Sequence, residues 1–135
     1  MNFKVVRRAT LLVPSNPRGD LSLKHLFVVM CDPDRRGDVL LVSISTYKEG
    51  HKNHDPTCLL DEGDHPFIKH RSYVRYASAR QESAATLVQR VASRSYTDQG
   101  LVGEAVFQRI LAGFRKSDFV SPFVFDYLPA PNPFS

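Results

Sequence analysis

The chain has 135 residues, of which 42% are hydrophobic, 24% charged and 10% aromatic, a composition that fits one globular domain and excludes disorder and collagen-like repeats. A chain of this size buries roughly two-thirds of its unfolded surface, so Cys31 and Cys58 are expected as free thiols rather than as a disulfide framework. With 18 Lys and Arg against 14 Asp and Glu, the net charge is +4, which favours a polyanionic partner without requiring one. No apolar run approaches the ~18 residues of a membrane span. The basic residues 1–8 also lack the long apolar core of a signal peptide, so the expectation is a cytoplasmic protein with no membrane association.

In chain order, residues 3–6 form a short strand candidate. The apolar triplet 11–13 follows, and then a loop rich in turn formers, Pro14, Asn16, Pro17, Gly19 and Asp20. Residues 25–31 carry Leu26, Phe27, Val28, Val29 and Met30 in succession, too short for a helix and rich in β formers. Turn residues from Asp32 to Asp38 come next, and then the β-branched run 39–47, so the two runs predict a hairpin. A polar loop over 48–56 leads to a short strand near 58–60 and a turn at Asp61, Glu62, Gly63 and Asp64. A further strand begins near Ser72, where Tyr73, Arg75 and Ala77 alternate with Val74, Tyr76 and Ser78. Residues 83–94 fit a short helix or a last strand, and helix is preferred. Over 103–116, Val106, Phe107, Ile110, Leu111 and Phe114 recur at helical spacing, with Glu104 in the first turn and Arg115 and Lys116 in the last. From Ser121 onward, Pro122, Pro129, Pro131 and Pro133 predict an extended tail.

The loops before residue 80 are too short for helical crossovers, which excludes a parallel-sheet α/β fold. The expectation is therefore an α+β, mainly β chain: a small, strongly curved β-barrel with a C-terminal amphipathic helix. It forms a single domain, with the barrel core at about 24–80, helices at about 83–116 and a tail over 121–135.

Phosphate-cradling glycine loops, Cys-x-x-Cys pairs and Gly-x-Ser-x-Gly elbows are absent, so any active site must be assembled from single residues. His51 and His54 are three apart beside Asp55, a spacing that could serve a metal. A solvated loop is the better account, and no metal or other cofactor is expected. His65 sits in Gly63-Asp64-His65-Pro66-Phe67, where a turn holds an imidazole beside a carboxylate, as a general acid or base requires. A plain turn histidine is the competing account. Lys24 and His25 open the first buried strand, and hairpin pairing about the 32–38 turn brings His25 close to Ser45 and Thr46. Between His65 and Arg80 the chain has two histidines, Lys69, Arg71, Arg75 and Arg80 with no carboxylate, interleaved with Phe67, Tyr73 and Tyr76. This is the segment best suited to a polyanion, although solvated charges on a sheet edge account for it equally well.

Lys24-His25-Leu26-Phe27-Val28-Val29, a turn, and Val39-Leu40-Leu41-Val42-Ser43-Ile44-Ser45-Thr46 together resemble the first half of the PemK/MazF-like toxin family. Cys58-Leu59-Leu60, Gly63-Asp64-His65-Pro66-Phe67 and Ser72-Tyr73-Val74 are similar to a divergent branch of it, and the likeness spans roughly residues 24–116. It implies an SH3-like β-barrel, a homodimer, and a metal-independent endoribonuclease acting on single-stranded RNA and opposed by a cognate antitoxin. His25-Leu26 stands where the family has Arg-Pro, which puts His25 in the place of the catalytic arginine.

Cleavage through the RNA 2′-hydroxyl needs a base, an acid and cationic stabilisation of the phosphorane. His25 and His65 are the acid/base candidates, and Thr46 and Ser45 the phosphate-contacting hydroxyls. Lys24, Lys69, Arg71 and Arg75 are the electrostatic partners. Tyr73 and Tyr76 either stack unpaired bases or pack in the core. A homodimer is also expected because 9 Phe and 5 Tyr in so small a barrel leave an apolar patch to cover. An alternative of a different class is a non-catalytic toxin or regulator that binds a protein. Gln108, Leu111 and Phe114 reproduce the spacing of a peptide that docks on a replication sliding clamp, and that reading requires their side chains to be exposed.

Overall fold

The Asp34 side chain organises the first hairpin. Its carboxylate accepts the backbone N–H groups of Arg36 and Asp38, both at 2.9 Å, and Gly37 completes the turn at φ +80°, where a β-carbon would be strained. This turn joins strands that are apolar on both faces. The computed structural model describes residues 3–14 and 24–128. Within them, β1 (Ala9–Pro14), β2 (Lys24–Val29), β3 (Asp38–Thr46), β4 (Leu59–Leu60), β5 (Ser72–Ser83) and β6 (Thr97–Leu101) build one curled, half-barrel sheet in the order β4-β5-β3-β2-β1-β6. Every neighbouring pair is antiparallel.

Two helices cover the two faces. Helix α1 (Ala84–Ala92) follows β5 directly, with the Ser83 hydroxyl accepting the Thr86 N–H as its N-cap. Its buried residue Leu87 joins Leu11, Phe27, Val29 and Leu41 on one face. On the opposite face, Phe107 and Ile110 of α2 (Glu104–Gly113) and Phe114 just beyond it pack on Leu26, Val28, Leu40, Val42, Val74 and Tyr76. Period-two alternation thus explains why residues 26–30 read as an unbroken apolar run: both sides of β2 are buried. Tyr76 is fully buried, donates its hydroxyl to the Ile110 carbonyl at 2.7 Å and stands edge-on to Phe114. Burial pushes its phenol pKa far up, so it remains a neutral donor.

β5 departs from a regular ladder between Arg75 and Arg80. Leu41 pairs with Arg80 and Ser43 with Arg75, so β5 carries a bulge there. The Ser78 hydroxyl fills the gap in the ladder. It donates to the Arg75 carbonyl at 2.6 Å and accepts both the Ser43 N–H at 3.1 Å and the Ser43 hydroxyl at 2.7 Å.

The two end strands of the sheet are linked by a side chain. His65, in the turn after β4, is 3% exposed. Its Nδ1 accepts the Phe67 N–H at 3.0 Å, which leaves the proton on Nε2. Nε2 lies 3.1 Å from the Thr10 hydroxyl of β1 and 3.2 Å from the Gln99 carbonyl of β6. Thr10 in turn donates to the Gly100 carbonyl, at the point where the β1–β6 register slips. Nearby, Arg109 of α2 donates to the Leu59 carbonyl and lies 3.5 Å from Asp64.

Several expectations are corrected. Residues 3–6 form no strand, because the ladder opposite β2 starts only at Thr10. The sheet itself reaches outside 24–80, since β1 and β6 are part of it. β6 was not anticipated, because its sequence TDQGL is polar and mostly exposed. The segment after Ser121 is not extended throughout: Pro122–Asp126 forms a 3-10 turn with proline in its first turn, where its fixed φ suits helical backbone. Asn16, Pro17, Gly19, Asp20, Pro129, Pro131 and Pro133 lie outside the described residues.

Two stability predictions follow from these contacts. A β-carbon on Gly113 would fall 1.8 Å from the Tyr76 hydroxyl oxygen and 2.5 Å from Cζ, and Tyr76 is held on every side. Gly113→Ala should therefore cost about 1–3 kcal/mol as overpacking, read as a lower urea midpoint with unchanged m-value. His65→Ala strands the Phe67 N–H and the Gln99 carbonyl and should cost about 1–3 kcal/mol. Desolvation holds the His65 pKa below the ordinary 6.5, so in acid the unfolded chain takes up a proton that the folded chain does not. The parent's melting temperature should then fall as pH drops below about 6.5, more steeply than that of His65→Ala. Parallel pH profiles would show that His65 is not the group responsible.

Candidate functional site

The hairpin register settles the site's first contact. Leu26 pairs with Ile44, so the preceding residue, His25, falls opposite Ser45, and His25 Nδ1 lies 3.4 Å from the Ser45 hydroxyl. Continuing across the sheet, Ser45 pairs with Tyr73, while one row further along Phe27 pairs with Ser43 and Ser43 with Arg75. Directly paired residues share a face. His25, Ser45, Tyr73, Ser43 and Arg75 therefore line the part of the α1 face that α1 leaves uncovered.

His25 lines two pockets, one at the end of the sheet on the α2 side, where Leu26, Ile44 and Ile68 belong to the core, and one on the α1 side beside Val13 and Phe27. The first, about 350 Å³, is lined by Lys24, His25, Ser45, Thr46, Lys69, His70 and Ser72 together with Leu26, Ile44, Phe67 and Ile68. The second, about 230 Å³, is lined by Val13, Pro14, His25, Phe27, Ser43, Arg75, Ser78 and Arg80. The Arg80 guanidinium lies 4.7 Å from the centre of the Phe27 ring, a cation–π contact, and its Nε is 3.7 Å from the Glu82 carboxylate, which offsets part of its charge. Among the described residues, neither lining contains a carboxylate. Joined through His25, the two pockets make a groove lined by cations, imidazoles and hydroxyls, which is the chemistry that receives phosphate oxygens.

Of the residues singled out from the sequence, Lys24, His25, Ser45, Thr46 and Lys69 come together in the first pocket, and Arg75 flanks His25 in the second. His65 does not join them. Both its ring nitrogens are engaged in the link between the sheet's ends, and it lines neither pocket. Arg71 is also outside both linings, its guanidinium turned to Asp61 at 2.9 Å in an exposed ion pair. Tyr76 is committed to the core. The residue that sequence reasoning passed over is His70, which places a second imidazole in the first pocket. Its position at the foot of β5, one residue after Lys69 in the carboxylate-free segment, was the available signal.

His51 and His54 do not converge on a metal. Their rings stack at 4.5 Å with an interplanar angle of 18°, and His54 Nδ1 accepts the Lys48 N–H at 3.0 Å. No group of three or more His, Cys, Asp or Glu suited to a metal ion occurs among the described residues. Gln108, Leu111 and Phe114 lie on α2 or directly after it. Phe114 is 1% exposed, Leu111 packs against the core, and Gln108 donates to Glu104. The trio is therefore not presented as an exposed, extended peptide. No helix among the described residues is long and apolar enough to cross a membrane. No protein-family model and no curated protein sequence matches the chain.

Proposed function

We propose that the chain is a toxin of the kind its PemK/MazF-like resemblance implies: a cytoplasmic, metal-independent endoribonuclease that cuts single-stranded RNA on an SH3-like barrel. It works as a homodimer and is restrained by a cognate antitoxin. The observation that supports this reading is the position of His25, which lines two pockets without a carboxylate in either lining, one supplied with Lys24 and Lys69 and the other with Arg75. RNA phosphates occupy the groove, and the scissile phosphate sits in the first pocket with His25 and His70.

Cleavage there is a transesterification. One imidazole takes the proton of the RNA 2′-hydroxyl as its oxygen bonds to phosphorus, and the other, in its imidazolium form, protonates the departing 5′-oxygen as the P–O bond breaks. The products are a 2′,3′-cyclic phosphate and a 5′-hydroxyl. Lys24 and Lys69 stabilise the charge that develops on the phosphorane, and the Thr46 and Ser45 hydroxyls donate to its oxygens. Ser45, 3.4 Å from His25 Nδ1, orients the imidazole. Exposed Phe119, Phe123 and Phe125 near the C-terminal turn supply an apolar patch for the dimer.

The test is incubation of the purified protein with single-stranded RNA in EDTA, with the ends of the fragments mapped. Parent protein should yield cyclic-phosphate ends with a bell-shaped rate profile between about pH 5 and 8. His25→Ala and His70→Ala should each lose roughly 10²- to 10⁴-fold in rate with the fold intact. Arg75→Ala should weaken binding and reduce its salt dependence, whereas Arg71→Ala, whose charge is spent on Asp61, should do so much less. Undiminished cleavage by His25→Ala would overturn the assigned mechanism. RNA that is neither bound nor cut would favour a protein that acts by occupying another protein. Light scattering at micromolar concentration tests the dimer, and a monomer mass would contradict it.

A further inference from the structure

Beside the groove stands a column of rings that the cleavage chemistry does not use. Tyr73, 4% exposed, forms its base. His54 stacks on Tyr73 at 4.6 Å and 26°, and His51 stacks on His54 at 4.5 Å and 18°. Tyr47 buttresses the column, 6.1 Å from Tyr73 and edge-on, and 5.9 Å from His54. The outermost ring, His51, is exposed.

The backbone fixes the column in place. His51 N–H donates to the Lys48 carbonyl, His54 N–H to the His51 carbonyl, and Lys48 N–H to His54 Nδ1. The loop that carries it is anchored by buried Asp55, whose carboxylate accepts the Thr57 N–H and hydroxyl and the Ser117 hydroxyl. The column is also placed next to the groove, because Tyr73 pairs across the sheet with Ser45, the hydroxyl that touches His25. Arg75 lies two residues further along the same face of β5. Lys48 and Lys52 flank the loop. Glu49, which is exposed, is the one acidic side chain of the loop besides Asp55.

We infer that the His51–His54–Tyr73 column is a base-docking platform, on which the outer face of His51 stacks one unpaired base of a strand whose phosphates run past Arg75 to His25. This rests on the reading of the groove as a single-stranded RNA site. A column of nearly parallel π-faces that ends in an exposed ring offers a base a flat, sequence-tolerant surface. The neighbouring cations can hold the adjoining phosphates, so one nucleotide is gripped at both its base and its backbone. His54 keeps its Nδ1 lone pair for the Lys48 N–H, so the middle ring stays neutral and stacks without charge repulsion toward His51.

The experiment is a fluorescence titration of the full chain with 2′-O-methyl oligoribonucleotides, which lack the attacking hydroxyl and are not cut. Each carries 2-aminopurine at one scanned position, and an abasic oligomer of the same length reports phosphate binding alone. Parent protein should quench 2-aminopurine at one position of the bound strand. His51→Ala should abolish that quenching and weaken binding of the base-bearing strand roughly 5- to 150-fold, the range that corresponds to about 1–3 kcal/mol per stacked base. Its affinity for the abasic oligomer should be unchanged, and His51→Tyr should restore both quenching and affinity. If His51→Ala binds the base-bearing strand as tightly as the parent does, the platform is wrong while the RNA groove stands. If the parent binds neither oligomer, the RNA reading fails and the platform with it.

Discussion

A curled sheet that stops short of closing has two end strands with unpaired backbone, and the fold depends on how those ends are tied together. In this chain one neutral imidazole does so. His65 reaches from the β4 turn to β1 and β6, with its proton on Nε2 and its lone pair on Nδ1 both committed. The arrangement suits histidine because a single flat ring accepts on one side and donates on the other. Arg109 and Asp64 reinforce the same seam from α2, and Glu104, at the start of that helix, pairs with Arg7 and Arg8 just before β1. With the ends joined, the face under α2 becomes a dry interior in which Tyr76, Phe107, Ile110 and Phe114 are almost completely enclosed.

The opposite face follows from the same geometry. Helix α1 is short and covers only the part of the sheet around Leu41 and Val29, with Leu87 as its buried residue. The rest of that face would be an exposed apolar surface if its strands continued as they began. Polar residues stand there instead: His25 where β2 opens, Ser43 and Ser45 along β3, Arg75 and Arg80 on β5. A fold that needs one helix for its interior thus leaves a broad strip beside the other helix available for charge. Because the interior is on the far side, residues of the strip can be polar without leaving unsatisfied groups in the core.

What could be read from the sequence was what local physics controls. The hairpin follows from Asp34 and Gly37, and its register carries the meeting of His25 with Ser45. The C-terminal helix follows from the spacing of Phe107, Ile110 and Phe114. What could not be read depends on partners distant in the chain. β6 is a strand because the edge of β1 pairs with it, against the preference of its own polar residues. His65 looks catalytic in isolation, since a turn, a carboxylate and a proline are all local. Its actual partners, Thr10 and Gln99, are 55 and 34 positions away. His70 joins His25 through the folding of the 61–71 segment against the mouth of the first hairpin, and no spacing rule in the sequence records that approach.

The bulge in β5 has a bearing on how the strip is encoded. Arg75 and Arg80 stand five positions apart, an odd interval, and in a regular strand they would project to opposite sides of the sheet. The bulge lets β5 advance five residues while β3 advances two, and this restores the two guanidinium groups to the same side. The Ser78 hydroxyl that stitches the bulge to Ser43 is therefore a parity device. Removing a single residue from the loop-out would invert the frame of everything between it and Ser72, turning Arg75 and Tyr73 inward and Val74 outward. An alternation-based search for charge clusters would miss sites built this way, because their sequence signature is an odd interval bridged by a hydroxyl.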